Sequence, residues 1–534
     1  MKKWIVASVV FPVVIGLILL FACTRRGRKY SPDTLTIGIA RDWNVSDIWL
    51  HRGENCLVFE TLVRRDKKGG YIPFIAESWE KSEDGKDYTF RIRDGVTFSD
   101  GTRVTAYHVK ESFVYREKNK EKIKAASGQQ KGRYQDIEWA QADSLPIWSD
   151  GSSVEVLDEY TIRFHLPQPY NVFLDELATT HISPVLKPSQ DGKSAVFIGT
   201  GPYIVCEQKG SHSVLLVRNP HYWQGEVRIP RIVLKVIPDS TTRAIALRTG
   251  DIDLTGIDSF DQIPLEMIPQ LDAGNLSVER ISSLNPAVHS LALNYQQEPF
   301  TDINVRKAIA MIISQNKIND FIHEAGVSID GPVPQNNALS NRHIIRRRNN
   351  VDGARQMLAE AGWTDLSADG TIMKDGKRFS VTLFYNSHDP VYKAVAEGIK
   401  SQLKKAGIAV QLQHMEFGAL GNRMRNKTFE MALWPQMDYQ MFYYSKRPCG
   451  FTVYQSPELD DAFSIFLHSN DPSESREAFY LAQELIVKSC AQPFFFETFN
   501  VVAWNSKRLC GFDPLPLEWS LGMDLWKAQL SKNS

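Results

Sequence analysis

Short apolar runs alternate with amphipathic segments through the second half of the chain. The apolar runs have the length of strands, and the segments between them repeat apolar residues every three or four positions, as helices do. The predicted series is strand 379–385, helix 390–406, strand 408–414, helix 417–426 and strand 429–434. Such a βαβαβ series indicates a parallel sheet covered by helices, with ligands favoured at the carboxyl ends of its strands. Further helices are predicted at 351–361 and 474–488, and an apolar strand region at 493–503.

The first half of the chain has a different pattern, in which apolar and polar residues alternate over short segments. This alternation predicts strands that are buried on one face. The predicted strands are 35–40 and 88–93, with hairpins formed by 153–157 and 161–166 and by 203–206 and 214–218. We therefore expect a β-rich first half and an α/β second half.

The N-terminus has the layout of an export signal. Lys2 and Lys3 precede a long apolar run that ends at Ala22, and Cys23 follows. A small residue directly before a cysteine resembles the bacterial lipobox, in which Cys23 would carry lipid and become the first mature residue, although Phe21 departs from the usual choice. The alternative is an uncleaved anchor, because the run approaches the ~20 residues that cross a bilayer. Both interpretations place the body outside the cytoplasm.

Composition and charge exclude some functions. The 534 residues carry 62 Lys and Arg against 62 Asp and Glu, so the net charge is zero, and removal of residues 1–22 with their two lysines leaves −2. A protein that binds nucleic acid would show a basic excess or a basic stripe, so we expect no nucleic acid as a partner. The segment 23–34 is polar and basic, which suits a lipid-anchored tether at an anionic membrane surface.

Catalytic motifs are almost absent. Ser401 and Lys404 have the SxxK spacing of penicillin-recognising enzymes, but no KTG or SDN sequence accompanies them, and both lie inside the predicted helix 390–406. A helix surface explains this pair better than a nucleophile and its base do. We therefore expect no enzyme, and we predict no cofactor.

The cysteines are spread along the chain without a metal-binding spacing. The absence of any CxxC pattern argues against a zinc site. In an oxidising compartment, a disulfide of Cys490 with either Cys449 or Cys510 would be compatible with the sequence.

A set of short segments, in order along the chain, resembles one protein family. Several have a local structural reason, such as the turns at Asp84-Gly85 and Asp94-Gly95. The segments are AESW at 76–79, SEDGKDYTFRIRDGV at 82–96, FSDG at 98–101, GTGPY at 199–203, RNPHYW at 218–223, IPDSTTRA at 237–244, TGDIDL at 249–254, VRKAIA at 305–310, ARQML at 354–358, AGW at 361–363 and FEMA at 429–432. From about residue 35 to residue 505, the chain is similar to the family 5 extracellular solute-binding proteins, the peptide and nickel receptors of ABC importers.

The resemblance implies a fold and a domain organisation. The fold is α/β with two lobes of the periplasmic-binding-protein type, an extra β-rich subdomain in the first lobe, and a ligand cleft between the lobes that closes around the solute. The implied units are a signal peptide at 1–22, a tether at 23–34, lobe I at 35–76, 195–288 and 490–534, its subdomain at 77–194, and lobe II at 289–489.

The resemblance also implies ligand-binding residues in lobe II. Peptide receptors of the family hold the α-amino group of the peptide with an aspartate in a Trp-x-x-Asp-Tyr segment, just after the last strand of the predicted series. This chain keeps Trp434, Asp438 and Tyr439 with altered spacing and without the usual following Asp-Pro. Asp438 is thus the implied ammonium partner, and a loop-capping role is the alternative. Arg423 and Arg425 are implied partners of a ligand carboxylate, with a solvent-exposed helix face as the alternative.

In the first half of the chain, Asp42 and Trp43 follow the first predicted strand and occupy the segment that lines the cleft in relatives. Nickel receptors of the family also have a tryptophan there, but their cleft arginine falls near 179–182, where this chain has His181. Imidazole suits nickel, although a structural histidine is the alternative. We therefore expect short peptides as ligands and keep a nickel or other metal chelate as the alternative.

The implied partners follow from the family. A monomeric receptor, attached to the membrane through the lipid on Cys23, would deliver its solute to an ABC permease and its ATPase subunits from the periplasmic or extracytoplasmic face of the cell envelope. A third interpretation is a surface-anchored binding protein that is no longer coupled to transport, because the Asp-Pro that usually follows the site aspartate is missing.

Overall fold

The computed structural model describes residues 32–43, 53–119, 152–179, 183–188, 197–258, 261–272, 276–282, 287–314, 317–318, 326–335, 337–344, 349–386, 390–436, 443–445, 453–516 and 521–531. Four residues predicted to act in anchoring or ligand binding lie outside these ranges, namely Cys23, His181, Asp438 and Tyr439.

The largest sheet has seven strands. Their order is Tyr203–Lys209, Ser213–Arg218, Arg231–Val236, Thr34–Ile39, Leu254–Thr255, Asn500–Trp504 and Ser277–Ile281. Thr34–Ile39 is parallel to both of its neighbours, so the carboxyl ends of these three strands lie at one edge of the sheet. The hairpin predicted around residue 210 is confirmed as Tyr203–Lys209 and Ser213–Arg218. Leu35 and Ile37 are fully buried in the core beneath this sheet.

A buried ion pair fixes the C-terminal part of the chain to the first strand. Arg508 Nε lies 2.9 Å from Oδ1 of Asp253, and both side chains are 2% exposed. The other oxygen of Asp253 accepts the backbone N–H of Thr36 at 2.8 Å, and Arg508 donates to the carbonyl of Thr34 at 2.6 Å. Removal of either partner would leave an uncompensated charge in the core.

The second large sheet has six strands and contains the predicted βαβαβ series. Its order is Gly326–Ser328, Phe494–Thr498, Val288–Leu293, Met431–Gln436, Ser380–Asn386 and Ala409–Met415. The last three strands are mutually parallel, as predicted, and the helices Pro390–Lys405 and Phe417–Arg425 connect them. The sheet as a whole is mixed rather than parallel, because Val288–Leu293 runs antiparallel to both of its neighbours.

Two connections join the two large sheets. The chain leaves the seven-stranded sheet at Ser277–Ile281 and enters the six-stranded sheet at Val288–Leu293. It returns from Phe494–Thr498 to Asn500–Trp504, with a single residue between the strands. The apolar region predicted at 493–503 is therefore two strands, one in each sheet. This arrangement is the two-lobed fold, in which short connections between the two large sheets allow the lobes to hinge.

A separate four-stranded antiparallel sheet belongs to the residues predicted as the subdomain. Its order is Ala76–Lys81, Asp87–Ile92, Thr161–His165 and Ser153–Asp158. Phe164 makes edge contacts with Phe90 and Phe113, at ring-centroid distances of 5.6 Å and 5.1 Å, so the helix Ala106–Lys118 packs onto this sheet.

The remaining elements cover these three sheets. The other α-helices are Phe173–Leu177, Ser240–Thr249, Ile268–Asp272, Ile303–Ile312, Val351–Glu360, Pro457–His468 and Pro472–Ser489, and the 3₁₀ helices are Gly53–Leu57 and Leu265–Met267. The small sheets consist of Val63–Arg65 with Tyr71–Pro73, Leu186–Pro188 with Phe197–Gly199, Leu509–Cys510 with Gln529–Leu530, Pro514–Pro516 with Leu521–Met523, and Asp365–Leu366 with Ile372–Lys374 and Lys377–Arg378.

The thiols correct one prediction. Cys510 is a free cysteine, so the pairing of Cys490 with Cys510 is wrong. Cys449 lies outside the described residues, and its pairing with Cys490 stays a prediction. No helix in the described ranges is long and apolar enough to cross a membrane, and the segment 1–22 lies outside those ranges.

Candidate functional site

A buried chain of hydrogen bonds lies where the strand Met431–Gln436 ends. Tyr443 Oη donates to Oε1 of Gln436 at 2.9 Å and also contacts Oε1 of Gln492. Gln492 Nε2 donates in turn to Oγ of Ser290 at 2.6 Å. All four side chains are buried, and burial raises the pKa of Tyr443 well above its usual value, so the phenol keeps its proton. Buried side chains that are joined by hydrogen bonds hold one another in place.

The network holds the two ends of one segment together. Gln436 is the last residue before 437–442 and Tyr443 is the first after it, and their side chains are hydrogen-bonded to each other. The segment contains the predicted ligand residues Asp438 and Tyr439. It begins at the carboxyl end of a strand that is parallel to its neighbour, which is where α/β sheets bind ligands.

Trp434 lies in the same strand, two residues before its last residue, Gln436. It is 1% exposed, and its backbone carbonyl accepts a hydrogen bond from Oγ of Ser290 at 3.3 Å. Its side chain therefore belongs to the core of the second lobe in this conformation. Direct contact between Trp434 and a ligand stays a prediction.

The two arginines predicted to meet a ligand carboxylate lie on the helix Phe417–Arg425. Arg423 donates to the carbonyl of Thr428 at 2.8 Å, and its guanidinium lies 4.7 Å from the ring centre of Phe384. Arg425 donates to Oδ1 of Asn422. These local contacts position both side chains on the helix.

In the first lobe, two buried aspartates hold the chain on both sides of another predicted ligand segment. Asp261 Oδ1 accepts the backbone N–H of Ala40 at 2.6 Å, and Asp258 Oδ2 accepts the backbone N–H of Gly53 at 2.9 Å. Arg41 Nη2 lies 3.4 Å from Oδ1 of Asp258. The chain after the strand Thr34–Ile39 is thus fixed by side chains more than 200 positions away.

The electrostatics of this aspartate pair are unusual. Burial, together with the nearby Asp258, raises the pKa of Asp261 to about 6 against the opposing effects of Arg243, the hydrogen bond from Ala40 and Arg41. Two carboxylates close together in a dry site do not both ionise easily. The pair therefore binds a proton more readily than isolated aspartates would.

Asp42 and Trp43 lie between the two anchored points. Asp42 is exposed, whereas Trp43 is 1% exposed and donates from Nε1 to Oδ1 of Asn55 at 2.9 Å. Trp43 thus packs into the core beneath the seven-stranded sheet, and Asp42 alone of the two is open to a solute. Within the described residues, no hydrogen bond or ion pair joins Asp42 or Trp43 to the candidate residues of the second lobe.

A hydrogen bond also joins the described residues on either side of His181. The backbone N–H of Ser183 donates to the carbonyl of Thr179 at 2.9 Å, and these residues are the nearest described neighbours on either side. His181 itself lies outside the described residues, and its role as a ligand or structural residue stays a prediction.

The supporting residues were not predicted from the sequence. None of the three network residues Gln436, Tyr443 and Gln492 belongs to a motif. In the sequence they are either far from one another or separated by other polar residues. Asp258 and Asp261 are ordinary polar residues in a loop-rich stretch. One usable signal is a glutamine at the end of an otherwise apolar strand, because a buried amide needs hydrogen-bond partners.

The fold and these supported segments define a class of protein. Two α/β lobes joined by short connections, each presenting a segment at strand ends, make up a two-lobed binding protein. The chain belongs to the bacterial extracellular solute-binding proteins, family 5: the sequence signature described as "Bacterial extracellular solute-binding proteins, family 5 Middle" matches residues 70–444.

Individual relatives support this assignment. The chain is 26% identical over 460 residues to the probable D,D-dipeptide-binding periplasmic protein DdpA of Escherichia coli strain K12, covering 82% of this chain and 81% of the relative. It is 29% identical over 393 residues to the nickel-binding periplasmic protein of the same strain, covering 70% of this chain and 69% of the relative. The NikA structure from Brucella suis in complex with Fe(III)-EDTA matches with a TM-score of 0.78 and 23% identity, covering 93% of this chain and 100% of that one, which shows the shared fold.

The family bears on the SxxK spacing. Ser401 and Lys404 are both exposed on the helix Pro390–Lys405. Members of the family are solute-binding proteins rather than enzymes. Helical periodicity accounts for the spacing of this pair without any catalytic role.

Proposed function

We propose that this protein is the solute receptor of an ABC importer, that it captures short peptides between its lobes, and that it delivers them to a membrane permease with ATPase subunits. Asp438 binds the α-ammonium group of the peptide, Trp434 and Tyr439 provide aromatic surface beside it, and Arg423 or Arg425 meets the carboxylate end. Asp42, with Trp43 behind it, completes the cleft from the first lobe.

One observation carries this proposal, namely the hydrogen bond between Tyr443 and Gln436 that joins the ends of the segment containing Asp438. A binding residue contributes more affinity when its backbone is ordered before the ligand arrives, because the ordering is not required on binding. An ammonium group on a carboxylate in a closed cleft contributes about 1.5–3 kcal/mol.

Calorimetry with tri-alanine and N-acetyl-tri-alanine tests the peptide proposal. We expect the free peptide to bind 1:1 and acetylation to weaken it by about tenfold or more, because it removes the ammonium group. Asp438→Asn should weaken tri-alanine similarly. Asp513→Asn is the matched control, because Asp513 is exposed and, among the described residues, pairs only with exposed Lys67. Equal affinity for both peptides would exclude Asp438 as the ammonium partner.

A metal chelate is the second candidate ligand. The relative with 29% identity is named as nickel-binding, and this observation favours a chelate over other solutes. The bis-histidine complex of Ni²⁺ is the probe, and imidazole at His181 would suit that metal. Binding of the chelate without binding of any peptide in a di- to pentapeptide library would replace the peptide proposal.

Membrane attachment through Cys23 is part of the same proposal. The N-terminal layout supports it, and Cys23→Ser should abolish lipid labelling and release the protein from the membrane fraction. Retained attachment with unchanged processing would instead favour the uncleaved anchor. Unchanged peptide uptake after gene deletion would favour a receptor that is no longer coupled to transport.

A further inference from the structure

A short arm of the predicted subdomain reaches the second lobe. The arm consists of residues 167–172, with the sequence PQPYNV. It lies between Leu166 and Phe173, whose side chains are fully buried in the core of the subdomain. The two prolines, Pro167 and Pro169, restrict the backbone between these anchored ends. The arm is therefore a stiff segment with a defined position.

The elements around the arm attach it to the first lobe. Asp175, in the short helix that follows the arm, forms an ion pair with Arg65 of the strand Val63–Arg65. The backbone N–H of Val185 donates to the carbonyl of Glu60 at 2.9 Å. Because Arg65 and Glu60 belong to the part of the chain predicted as lobe I, we expect the arm to move with the first lobe.

The arm meets the second lobe at the end of the helix Pro457–His468. Asn171 Nδ2 donates to the carbonyl oxygens of Phe466 and Ser469, at 2.8 Å and 2.9 Å. The backbone N–H of Asn171 donates to the carbonyl of Leu467 at 2.9 Å. The last carbonyl groups of a helix have no partner within the helix. Asn171 thus supplies donors to this helix end from the other lobe.

The last residue of the same helix adds a second set of contacts. Nδ1 of His468 lies 2.8 Å from the carbonyl oxygen of Pro169, and its Nε2 lies 3.3 Å from Nε2 of Gln168. The imidazole also stacks on the ring of Tyr170, with ring centroids 6.1 Å apart. Four consecutive residues of the arm, 168–171, therefore contact one helix end.

A second part of the subdomain contacts the turn 469–471, which follows this helix. Asn470, the middle residue of the turn, donates from Nδ2 to the carbonyl of Glu83. A Cβ atom at Gly85, two residues further along, would collide with the side chain of Asn470. The subdomain therefore contacts the second lobe at two adjoining places, with the arm and with residues 83–85.

These contacts are of a kind that can form and break. They are mainly hydrogen bonds, and Gln168 and Asn470 are exposed, whereas Asn171 and His468 are half-buried. Val172 is the buried residue of the arm that packs in the core of the second lobe. When polar groups separate, water replaces the protein partner, so the net contribution of each hydrogen bond is small. Polar interfaces between domains are typical of units that move relative to each other.

We propose that the arm and the turn 469–471 form a latch, whose contacts hold the lobes together in the closed receptor and separate when the lobes open. Because the arm is attached to the first lobe and the turn belongs to the second, a hinge motion about the two strand connections moves one against the other. The latch rests on the proposed function in one respect, namely that closure captures a solute. It raises the affinity without touching the solute, because it increases the fraction of the closed state.

Cross-linking tests the latch without any solute. Gln168→Cys with His468→Cys places two thiols where the side chains meet, and a short bis-maleimide joins them. Mass spectrometry confirms the bridge, and small-angle X-ray scattering measures the radius of gyration before and after the reaction. We expect the bridge to reduce the radius, because it prevents the lobes from opening. An unchanged radius, or two thiols that the linker does not bridge, would overturn the proposal.

A cross-link within one lobe is the control. Gln356 Nε2 lies 3.0 Å from Oε1 of Glu360 on the helix Val351–Glu360, and both side chains are exposed. Gln356→Cys with Glu360→Cys carries the same linker inside the second lobe, so the radius of gyration should not change. An equal reduction in both double variants would assign the change to the linker rather than to the latch, and would overturn the proposal.

The release of tri-alanine measures what the latch contributes to capture. Asn171→Ala removes donors from the contact, so we expect dissociation to be about tenfold faster in stopped-flow tryptophan fluorescence. Asn294→Ala is the matched control, because the buried Asn294 donates to the carbonyls of Lys427 and Phe429 at 2.9 Å and 2.8 Å, all within the second lobe. Its release rate should stay within about twofold of the wild type. Equal rates in the wild type and Asn171→Ala would overturn the latch, and circular dichroism checks that both variants fold.

The two experiments separate the latch from the proposed function. If tri-alanine does not bind to the wild type, the peptide proposal fails, and the radius of gyration still decides the latch. If tri-alanine binds and the bridge leaves the radius unchanged, the latch fails and the peptide proposal stands. When both hold, the bridged protein should neither take up nor release tri-alanine, whereas the control bridge should leave this exchange unaffected.

Discussion

Asn171 Nδ2 lies 2.9 Å from the backbone carbonyl oxygen of Ser469, at the C-terminal end of the helix Pro457–His468. The same amide group contacts the carbonyl of Phe466 at 2.8 Å and Oγ of Ser475 at 3.1 Å. The backbone N–H of Asn171 also donates to the carbonyl of Leu467 at 2.9 Å. One side chain from the predicted subdomain thus satisfies the end of a helix in the second lobe, in addition to the two strand connections.

This contact predicts that Asn171 contributes to the stability of the whole chain. Asn171→Ala removes the side-chain donor to the carbonyl of Ser469 and one of the two side-chain donors to the carbonyl of Phe466, which also accepts from Ser475, so we expect the free energy of unfolding to fall by about 1–3 kcal/mol. Urea denaturation monitored by tryptophan fluorescence measures this loss. Asn119→Ala is the control, because Asn119 caps the helix Ala106–Lys118 and its side chain donates to the carbonyl of Tyr115 in that helix, at 2.9 Å. An equal loss in both variants would show that the contact between the units adds nothing.

The buried carboxyl group of Glu60 leads us to expect that the free energy of unfolding decreases as the pH rises. Its carboxylate is buried and accepts hydrogen bonds from Thr200, Tyr222 and Trp223 at 2.7–2.9 Å. Burial raises its pKa from 4.5 to about 7, although these hydrogen bonds oppose the shift. The folded protein therefore keeps a proton that the unfolded chain releases, so stability is full below pH 4.5 and is lost as the pH rises through 7.

The matched variant is Glu60→Gln, which has the same size and no titration. Between pH 4.5 and pH 8, the wild type should lose on the order of 3 kcal/mol of unfolding free energy relative to the variant. Urea titrations at four pH values in this window measure the difference. A difference that stays constant with pH would contradict a raised pKa at Glu60.

The buried imidazole of His289 leads us to expect that the free energy of unfolding decreases as the pH falls below 6.5. Its ring stacks on Phe496 with centroids 4.5 Å apart, and Nδ1 lies 2.8 Å from the hydroxyl of Tyr392. Burial lowers the pKa of His289 from 6.5 to about 3, so the folded state holds a neutral imidazole. Below pH 6.5 the unfolded chain binds a proton that the folded chain refuses, so stability is lost as the pH falls from 6.5 toward 3.

The variant His289→Phe keeps a ring against Phe496 and removes the titration. We expect the advantage of the wild type over this variant to shrink by about 1.4 kcal/mol for each pH unit between 6.5 and 5. Thermal unfolding by calorimetry at pH 7, 6 and 5 checks this slope. An advantage that grows as the pH falls would mean that the folded protein stabilises the charged imidazolium.

Local patterns predicted much of the fold. The strand predicted at 35–40 is Thr34–Ile39, and the helix predicted at 390–406 is Pro390–Lys405, because apolar periodicity acts within each element. The pairing of Ser277–Ile281 with Asn500–Trp504 could not be predicted, because the register of strands more than 200 residues apart leaves no mark in either segment. For the same reason, the sequence did not predict that the antiparallel strand Val288–Leu293 makes the second sheet mixed.

The candidate site was predicted only in part, for a related reason. A motif resemblance indicated Trp434 and Asp438, because such residues recur at a fixed place beside a strand. The residues that hold this place, Gln436, Tyr443 and Gln492, act through side-chain contacts that span up to 49 positions of sequence. Hydrophobic patterning shows that a residue is buried, but it does not say which buried polar group it meets.

We expect that loss of the Tyr443 hydroxyl affects segment 437–442 in a way that a loss of overall stability alone does not. Tyr443→Phe removes the hydroxyl that contacts the amide oxygens of both Gln436 and Gln492, so this buried group loses its single O–H donor and the side chains of Gln436 and residue 443 are no longer hydrogen-bonded. Tyr222→Phe is the matched control, because it removes the hydroxyl of another buried tyrosine, which donates to Glu60 in the other lobe at 2.9 Å. Both variants should lose about 1–3 kcal/mol of unfolding free energy.

Hydrogen exchange distinguishes the two tyrosine variants. Peptic fragments that cover 431–445 should exchange faster in Tyr443→Phe than in the wild type, since the opening of this segment no longer has to break the bond between Tyr443 and Gln436. The same fragments should exchange at the wild-type rate in Tyr222→Phe, although its stability is also reduced. Weaker binding of tri-alanine should accompany the faster exchange, because a segment that must be ordered on binding lowers affinity. Faster exchange in both variants, or in neither, would mean that the bond between Tyr443 and Gln436 does not support the ligand segment.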